Sequence, residues 1–470
     1  MPDFSTITQT PQMRALVQQN MLERAFHDAL FPRMLFRGEA APVLWPANVG
    51  DTMSFTGAGL IKPKMRPLVP NTDPEPSSYT SEQWSAQLQQ YADSIDTRMP
   101  DSIVSIVNLF LRNAQQLGLS AAQAMNRITR NKLYNAAESG WTVTDTAQTA
   151  VSVLRVKRLN GFTRARNPSL PTGSPVRFDP VSSGNPLVVT ILDRTGPPAP
   201  VTRNIVGFTP DTPGDESGPG TITLTGGNVT VNDRDYVYAA DRTFIVRVGG
   251  GLKVDDIGSS DLLRLADIRS AMARFRQENV PEQPDKYFHC HLDPTSEAQI
   301  YADPEFQRLL TSLPDYFIYS EFAIGKLLGA IFFRNSECPV PETVDGGLTA
   351  TYSQDDPFAP ELYNTGAVGG VKVHRAIFVG QGLIHEYYQD LMNLITDAGV
   401  TGRVAEPKIT NNSIEVMSDR IQLIIRAPLN RLQDMVSTTW KFIGDWPVRT
   451  DSATGDAARI KRTCVVMHGE

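Results

Sequence analysis

Residues 50–97 read GDTMSFTGAGLIKPKMRPLVPNTDPEPSSYTSEQWSAQLQQYADSIDT, and this stretch decides how the rest of the chain is understood. Val49-Gly50-Asp51-Thr52-Met53-Ser54-Phe55 has the composition of a strand leaving a turn, and residues 84–95 that of its returning partner. Between them stand Gly57, Gly59, Pro63, Pro67, Pro70, Pro74 and Pro76. So many prolines forbid a helix and remove strand donors, which predicts an exposed, extended tip. An arm of this kind has little core of its own. Its apolar side chains need another surface, which a second copy of the chain would supply.

At Pro100-Asp101 the pattern switches. Ile103, Ile106, Val107, Phe110, Leu111, Ala114 and Leu117 recur at helical spacing, and Ala124, Met125, Ile128, Leu133 and Ala136 continue the pattern to Gly140. Ser120 and Gln123, after Gly118, have the form of a capping box. Joined without a break, the two halves would make a rod about 58 Å long at 1.5 Å per residue.

Upstream, Met13, Leu16, Val17, Met21, Leu22, Ala25 and Leu30 predict one short helix ended by Phe31-Pro32. Phe36, Val43, Leu44 and Trp45-Pro46 follow as an extended apolar run suited to lying along a surface. Downstream, residues 151–252 turn rich in Thr, Val, Gly, Pro and Asp. Short strands are expected at Leu187-Val188-Val189-Thr190-Ile191, Thr221-Ile222-Thr223-Leu224 and Tyr236-Val237-Tyr238, with Gly249-Gly250-Gly251 as a hinge after them.

Helical spacing returns at Leu262, Leu265, Ile268, Met272 and Phe275, and a strand at residues 287–292 is stopped by Asp293-Pro294. Phe306, Leu309 and Leu310 mark a short helix, and Leu383, Ile384, Tyr387, Leu391 and Ile395 predict another ending at Gly399. Ile414 and Val416, then Ile421, Leu423 and Ile425, alternate as strands do; Trp440, Phe442 and Trp446 form a late aromatic cluster, and Cys464-Val465-Val466-Met467 a last strand. Helices and strands mix without regular βαβ alternation, so the class is α+β.

The 470 residues allow roughly two to four compact units. Hydrophobic content of 41% and charged content of 20% describe a folded chain. No stretch of 18 apolar residues occurs and the N-terminus lacks a signal-peptide layout, from which no membrane partner and a cytosolic origin are expected. Cys290, Cys338 and Cys464 show no CxxC spacing and read as buried free thiols. A net charge of −7 argues against a protein whose main affinity is for nucleic-acid phosphates.

His289-Cys290-His291 puts two imidazoles on one face of a strand, the beginning of a metal site that lacks its further ligands; a metal-dependent hydrolase using His289 and His291 is the enzyme alternative, with residues 151–252 as a substrate-binding module. His385-Glu386-Tyr387-Tyr388-Gln389 fails as a zincin helix because Gln389 stands where the second histidine belongs. Gly380-Gln381-Gly382, read as preceding a helix, lacks the third glycine of a dinucleotide fingerprint. No catalytic, cofactor-binding or metal residue is nominated. Basic residues gather at Arg127, Arg130 and Lys132, at Arg155, Lys157, Arg158, Arg164 and Arg166, and at Arg459, Lys461 and Arg462. They read as solvated faces or intersubunit ion-pair partners, with loose contact to DNA as the minority reading.

The order of these parts resembles a tailed-bacteriophage major capsid protein of the Hong Kong 97 type. Residues 262–294 carry the likeness, where LLRLADIRSAMARFRQENVP and KYFHCHLDP resemble the helix, linker and strand-to-Asp/Pro turn of such coat proteins. Asp303-Pro304-Glu305-Phe306, residues 325–333 and Val379-Gly380-Gln381-Gly382 continue it. The resemblance implies a Hong Kong 97-like α+β fold. Residues 1–48 would be the N-terminal arm, 49–100 the extended loop, and 101–150 the spine helix (to 139) with the first part of the peripheral domain. Residues 151–252 would be a β-rich insertion, 253–400 the axial domain, and 401–470 the C-terminal part of the peripheral domain.

It also implies a protein without an active site or cofactor. Its copies would form the pentamers and hexamers of an icosahedral shell around double-stranded DNA, in a virion built in the bacterial host cytoplasm. Scaffolding and portal proteins, and decoration proteins, would be its partners. Some members crosslink subunits through a loop lysine, for which Lys62 and Lys64 are the positions here. A portal or tail subunit is the structural alternative, and a carbohydrate-binding role for residues 151–252 a possible addition.

Overall fold

The strand Met435–Asp445 buries every second side chain, Val436, Thr438, Trp440 and Phe442 among them, because successive residues of a strand face opposite sides of the sheet. It anchors a seven-stranded sheet. One of its partners, Gln89–Arg98, runs antiparallel to it in an unbroken register from Met435↔Arg98 to Gly444↔Gln89. From Met435–Asp445 the order continues through Ile421–Arg426, Ser413–Ser418 and Lys408–Thr410 on one side, and through His385–Tyr388 to Ala41–Leu44 on the other.

The computed structural model describes residues 35–46, 49–58, 63–68, 72–74, 76–77, 79, 81–98, 109–167, 174–194, 200–311, 325–339, 371–389, 408–410, 413–418, 420–426, 432, 434–451 and 458–470. The chain divides into two units: Met1–Ser54, Ser85–Arg130 and Ile384–Pro447 form the first, and Phe55–Trp84, Asn131–Leu383 and Val448–Glu470 the second. The helix expected between residues 13 and 30 lies outside the described residues.

In the first unit the sheet carries Trp446 stacked on Phe442 with centroids 5.2 Å apart, and Tyr91 at 5.8 Å from Trp446. The helix α1 (Leu109–Ala137) is tied to the strand Gln89–Arg98 by polar contacts: Asn113 Nδ2 donates to Thr97 Oγ1 at 2.6 Å, and Ser120 Oγ to Asp93 Oδ2 at 3.0 Å. Ser120 therefore does not cap a helix. The 29 residues run through Gly118 unbroken, about 43 Å at 1.5 Å per residue, and the segment 101–108 lies outside the described residues.

Two further expectations are corrected in this unit. The apolar run at Phe36 and Trp45 does not lie along a surface; both side chains are buried, Phe36 N–H donates to Asn126 Oδ1 at 2.8 Å, and Ala41–Leu44 extends the sheet parallel to His385–Tyr388. Residues 385–388 are correspondingly strand, not helix. The apolar residues Leu383, Ile384 and Tyr387 satisfy a helical period by coincidence, and the partners Ala41–Leu44 and Tyr387↔Asp445 decide the conformation. Residues 391–399 lie outside the described set.

The second unit holds two cores. An antiparallel six-stranded sheet takes the order Trp141–Val143, Tyr236–Ala239, Leu187–Leu192, Val201–Pro210, Gly220–Thr225, Val153–Val156. Leu154, Val156, Phe162, Val189, Ile205, Ile222 and Val237 fill its core.

A mixed six-stranded sheet takes the order Ile245–Arg247, Thr463–Gly469, Val373–Val379, Phe288–Leu292, Ala330–Arg334, Lys326–Leu327. Its strands Val373–Val379 and Thr463–Gly469 are buried at every position, on both faces of the sheet. The helix α2 (Leu265–Gln277) lays Ile268, Met272 and Phe275 into the same core as Phe288, Cys290, Phe378 and Cys464. Two short helices follow the strand Phe288–Leu292: α3 (Pro294–Ala302) and α4 (Pro304–Thr311). Asp293 caps α3 by accepting from the Thr295 and Ser296 amides, and Pro294 occupies the first helical position, where no donor is lost.

Candidate functional site

The arm between residues 55 and 84 is anchored at its base and bare at its end. Phe55 stacks on Trp84 with centroids 6.4 Å apart, the Arg449 guanidinium lies 5.3 Å from the Trp84 ring, and Glu82 and Gln83 pair with Val176 and Arg177. The returning limb is not one strand but two, Ser81–Gln87 and Gln89–Arg98, broken at Leu88, whose N–H donates to Asp51 O at 2.8 Å. Every described residue from 63 to 79 is exposed. Met65 is 91% accessible, Leu68 59% and Tyr79 55%, so the end of the arm offers apolar surface to water. Large apolar side chains held this far out of the fold are suited to an interaction surface. Lys64 sits beside them; Lys62 lies outside the described residues.

The motifs weighed for chemistry are absorbed by the fold. His289 and His291 do share a face, flanking Phe333 at centroid distances of 5.0 and 5.4 Å, but His289 Nε2 is 3.0 Å from Asp285 Oδ2 and Cys290 points into the α2 core. Among the described residues no group of three or more His, Cys, Asp or Glu side chains is placed to hold a metal. Gly380-Gln381-Gly382 precedes no helix: it is a turn between Val373–Val379 and His385–Tyr388, with Gly380 N–H donating to Arg462 O at 2.8 Å. Glu386 is buried against Arg37 and Arg420.

Six of the eleven residues in the basic groups are held in intrachain ion pairs. Arg155 binds Asp145 and Asp211 at 2.8 and 2.7 Å, Arg158 binds Glu138 at 3.1 Å, and Arg164 binds Glu216 at 2.9 Å. Arg459 holds Asp241 at 2.7 Å, Lys461 holds Glu278 at 3.0 Å, and Arg462 holds Asp451 at 2.9 Å. Their carboxylates are distant in sequence, so charge clustering along the chain gave no sign of them. The three cysteines are buried and none is in a disulfide.

A polar cluster escaped the sequence reading altogether. His374, His468, Asp293, Ser296 and Glu470 meet at one end of the mixed sheet, four of them buried. Isolated histidines on apolar strands carry no periodic signal, and only the strand register brings them together.

No helix among the described residues is long and apolar enough to cross a membrane. No family model matches the sequence, and no curated protein does. Solved phage capsid structures are similar along most of the chain. The capsid of Ralstonia phage GP4 is 11% identical, covering 94% of this chain and 92% of its own, with a TM-score of 0.46. The capsid of cyanophage P-SCSP1u is 10% identical, covering 93% and 89%, with a TM-score of 0.45. The cyanophage Pam1 capsid is 8% identical, covering 92% and 89%, with a TM-score of 0.46.

Proposed function

We propose that this chain is the major capsid protein of a tailed bacteriophage, a non-enzymatic coat subunit of the Hong Kong 97 type. One observation carries the reading: an arm tied down at Phe55 and Trp84, exposed at every described residue from 63 to 79, whose returning limb pairs along Met435–Asp445 and then leads into a 29-residue helix. Exposed Met65, Leu68 and Tyr79 are best accounted for by burial against a neighbouring copy. Obligate interfaces of this kind bury roughly 2,000–5,000 Å² each, and an extended arm is how a thin subunit obtains such area.

On this reading residues 1–48 are the N-terminal arm, 49–100 the extended loop, 101–150 the spine and start of the peripheral domain, 151–252 an insertion, 253–400 the axial domain, and 401–470 the close of the peripheral domain. Pentamers and hexamers close into an icosahedral shell around double-stranded DNA within the virion. Scaffolding, portal and decoration proteins are its partners. The intrachain pairing of Arg155, Arg158, Arg164, Arg459 and Arg462 supports weak contact with the packaged DNA. Electron microscopy of the purified full chain is the test. Closed shells are expected; a monodisperse monomer at high concentration overturns the proposal, and rings or tubes of fixed subunit number replace it with a portal or tail subunit.

A further inference from the structure

In the mixed sheet of the second unit, His374 and His468 are direct cross-strand partners. Their rings are buried and stacked, with centroids 5.4 Å apart and planes 15° from parallel. His374 Nδ1 is 2.9 Å from Asp293 Oδ2, and its Nε2 is 3.1 Å from Glu470 Oε2. Both partners only accept when ionised, so His374 presents N–H on both nitrogens and is an imidazolium. Ser296 Oγ touches Asp293 Oδ1 and lies 2.8 Å from His468 Nε2. Because Asp293 cannot donate, the hydroxyl proton goes to the carboxylate, and His468 donates from Nε2 to the hydroxyl oxygen. His468 is therefore neutral, with its remaining lone pair on Nδ1, and that atom has no hydrogen-bond partner among the described residues.

We propose that the His374–His468 pair is an acid-sensitive latch for this sheet, closed while the two rings hold one charge between them and opened when His468 takes a second proton. That proton would sit on Nδ1, buried with no hydrogen-bond partner among the described residues and beside an existing imidazolium. The surroundings offer it little relief. Asp293, from the cap of α3, and Glu470, at the end of the His468 strand, already bond His374, while Lys372 adds positive charge 3.5 Å from Glu470. Glu297 of α3 is engaged by Arg334.

The titration behaviour agrees in sign. Burial, then the charge on His374, pushes His468 down to about 4, outweighing the smaller upward pulls of Asp293, the Gly469 backbone and Glu470. Burial opposes the charge on His374 too, but Asp293 and Glu470 outweigh it and raise its pKa. Burial likewise works against ionised Asp293, yet the bonds from His374 and Ser296 hold it down at about 2. Glu470 is lowered, chiefly by its bond from His374. As pH falls from about 6.5, the opened strand binds a proton on His468 that the closed sheet refuses until about 4, so the closed state loses stability across that window. His374 runs the other way: its contribution is complete below 6.5 and fades only as pH rises through its raised value. Asp293 weakens only as pH falls toward 2.

Hydrogen exchange in the full chain tests this, followed on the strand Thr463–Gly469 and corrected for the intrinsic rate. Protection should fall by up to about tenfold per pH unit between 6.5 and 4, and His468→Gln should flatten that fall. An unchanged acid profile in H468Q overturns the latch. Should H468Q not fold, the His468 ring is followed by NMR in the native sequence. A midpoint near 4 accompanied by loss of protection supports the latch, and a midpoint near 6.5 with protection intact overturns it.

Discussion

The Arg37 guanidinium meets the Glu386 carboxylate through two hydrogen bonds, Nε to Oε2 at 2.9 Å and Nη2 to Oε1 at 2.7 Å, with both side chains almost wholly removed from solvent. Arg420 adds a second cation at 3.2 Å. The pair fixes the segment ahead of Ala41–Leu44 to the strand that Ala41–Leu44 joins, so it sets where that strand enters the sheet. Glu386→Gln would leave the buried Arg37 and the partly buried Arg420 facing an amide. Breaking a buried pair in this way costs about 3–5 kcal/mol, to be read as a lowered denaturation midpoint at constant slope. A loss below about 1 kcal/mol would mean that water reaches the site.

The end of the arm should behave oppositely. Met65 and Leu68 project into solvent, so Met65→Asp and Leu68→Asp should each shift subunit stability by no more than about 0.5 kcal/mol. Assembly should suffer instead, since a carboxylate would have to be desolvated wherever these side chains are covered. Sedimentation of the double variant is expected to show folded, unassembled protein. Particles formed as readily as by the unmodified chain would remove the arm from the interface.

How far the sequence anticipated this depends on the range of the deciding interaction. The alternation of Ile421, Leu423 and Ile425 became the strand Ile421–Arg426, and the helical spacing from Leu265 to Phe275 became α2, because burial of one face selects each from within its own segment. The prolines between residues 63 and 76 announced an exposed tip in the same local way. Tyr387 was misread because its partners, Val43 and Asp445, are remote in the chain. Ser120 looked like a cap, yet its hydroxyl serves Asp93, a contact no local pattern encodes. For the same reason the buried carboxylates facing the arginines and the His374–His468 pair had no signature in one sequence.

The buried thiols offer a chemical check on the core. Burial raises Cys464 to about 12 and Cys290 well above its usual range. At pH 8 a thiol at about 12 holds roughly a thousandfold less thiolate than a free cysteine, and the thiolate is the reactive form. Cys290 and Cys464 should therefore resist a thiol reagent in the native chain and react fully after denaturation, as peptide mapping of labelled protein would reveal. Prompt native labelling of either would place it outside the α2 core.

A second buried triad separates charge from packing. Glu138 accepts from Arg158 and from Arg375, each at 3.1 Å, and Arg375 also lies 5.3 Å from the Tyr134 ring. Glu138→Gln would strip the anion from two adjacent cations, whereas Arg375→Met would leave Glu138 and Arg158 as a balanced pair and fill the space above Tyr134. The first should cost about 3–5 kcal/mol and the second clearly less, since apolar replacement of a buried ion is often tolerated. Urea denaturation of both variants measures the difference. Equal losses would show that the contact with Tyr134, and not the excess of positive charge, governs this part of the core.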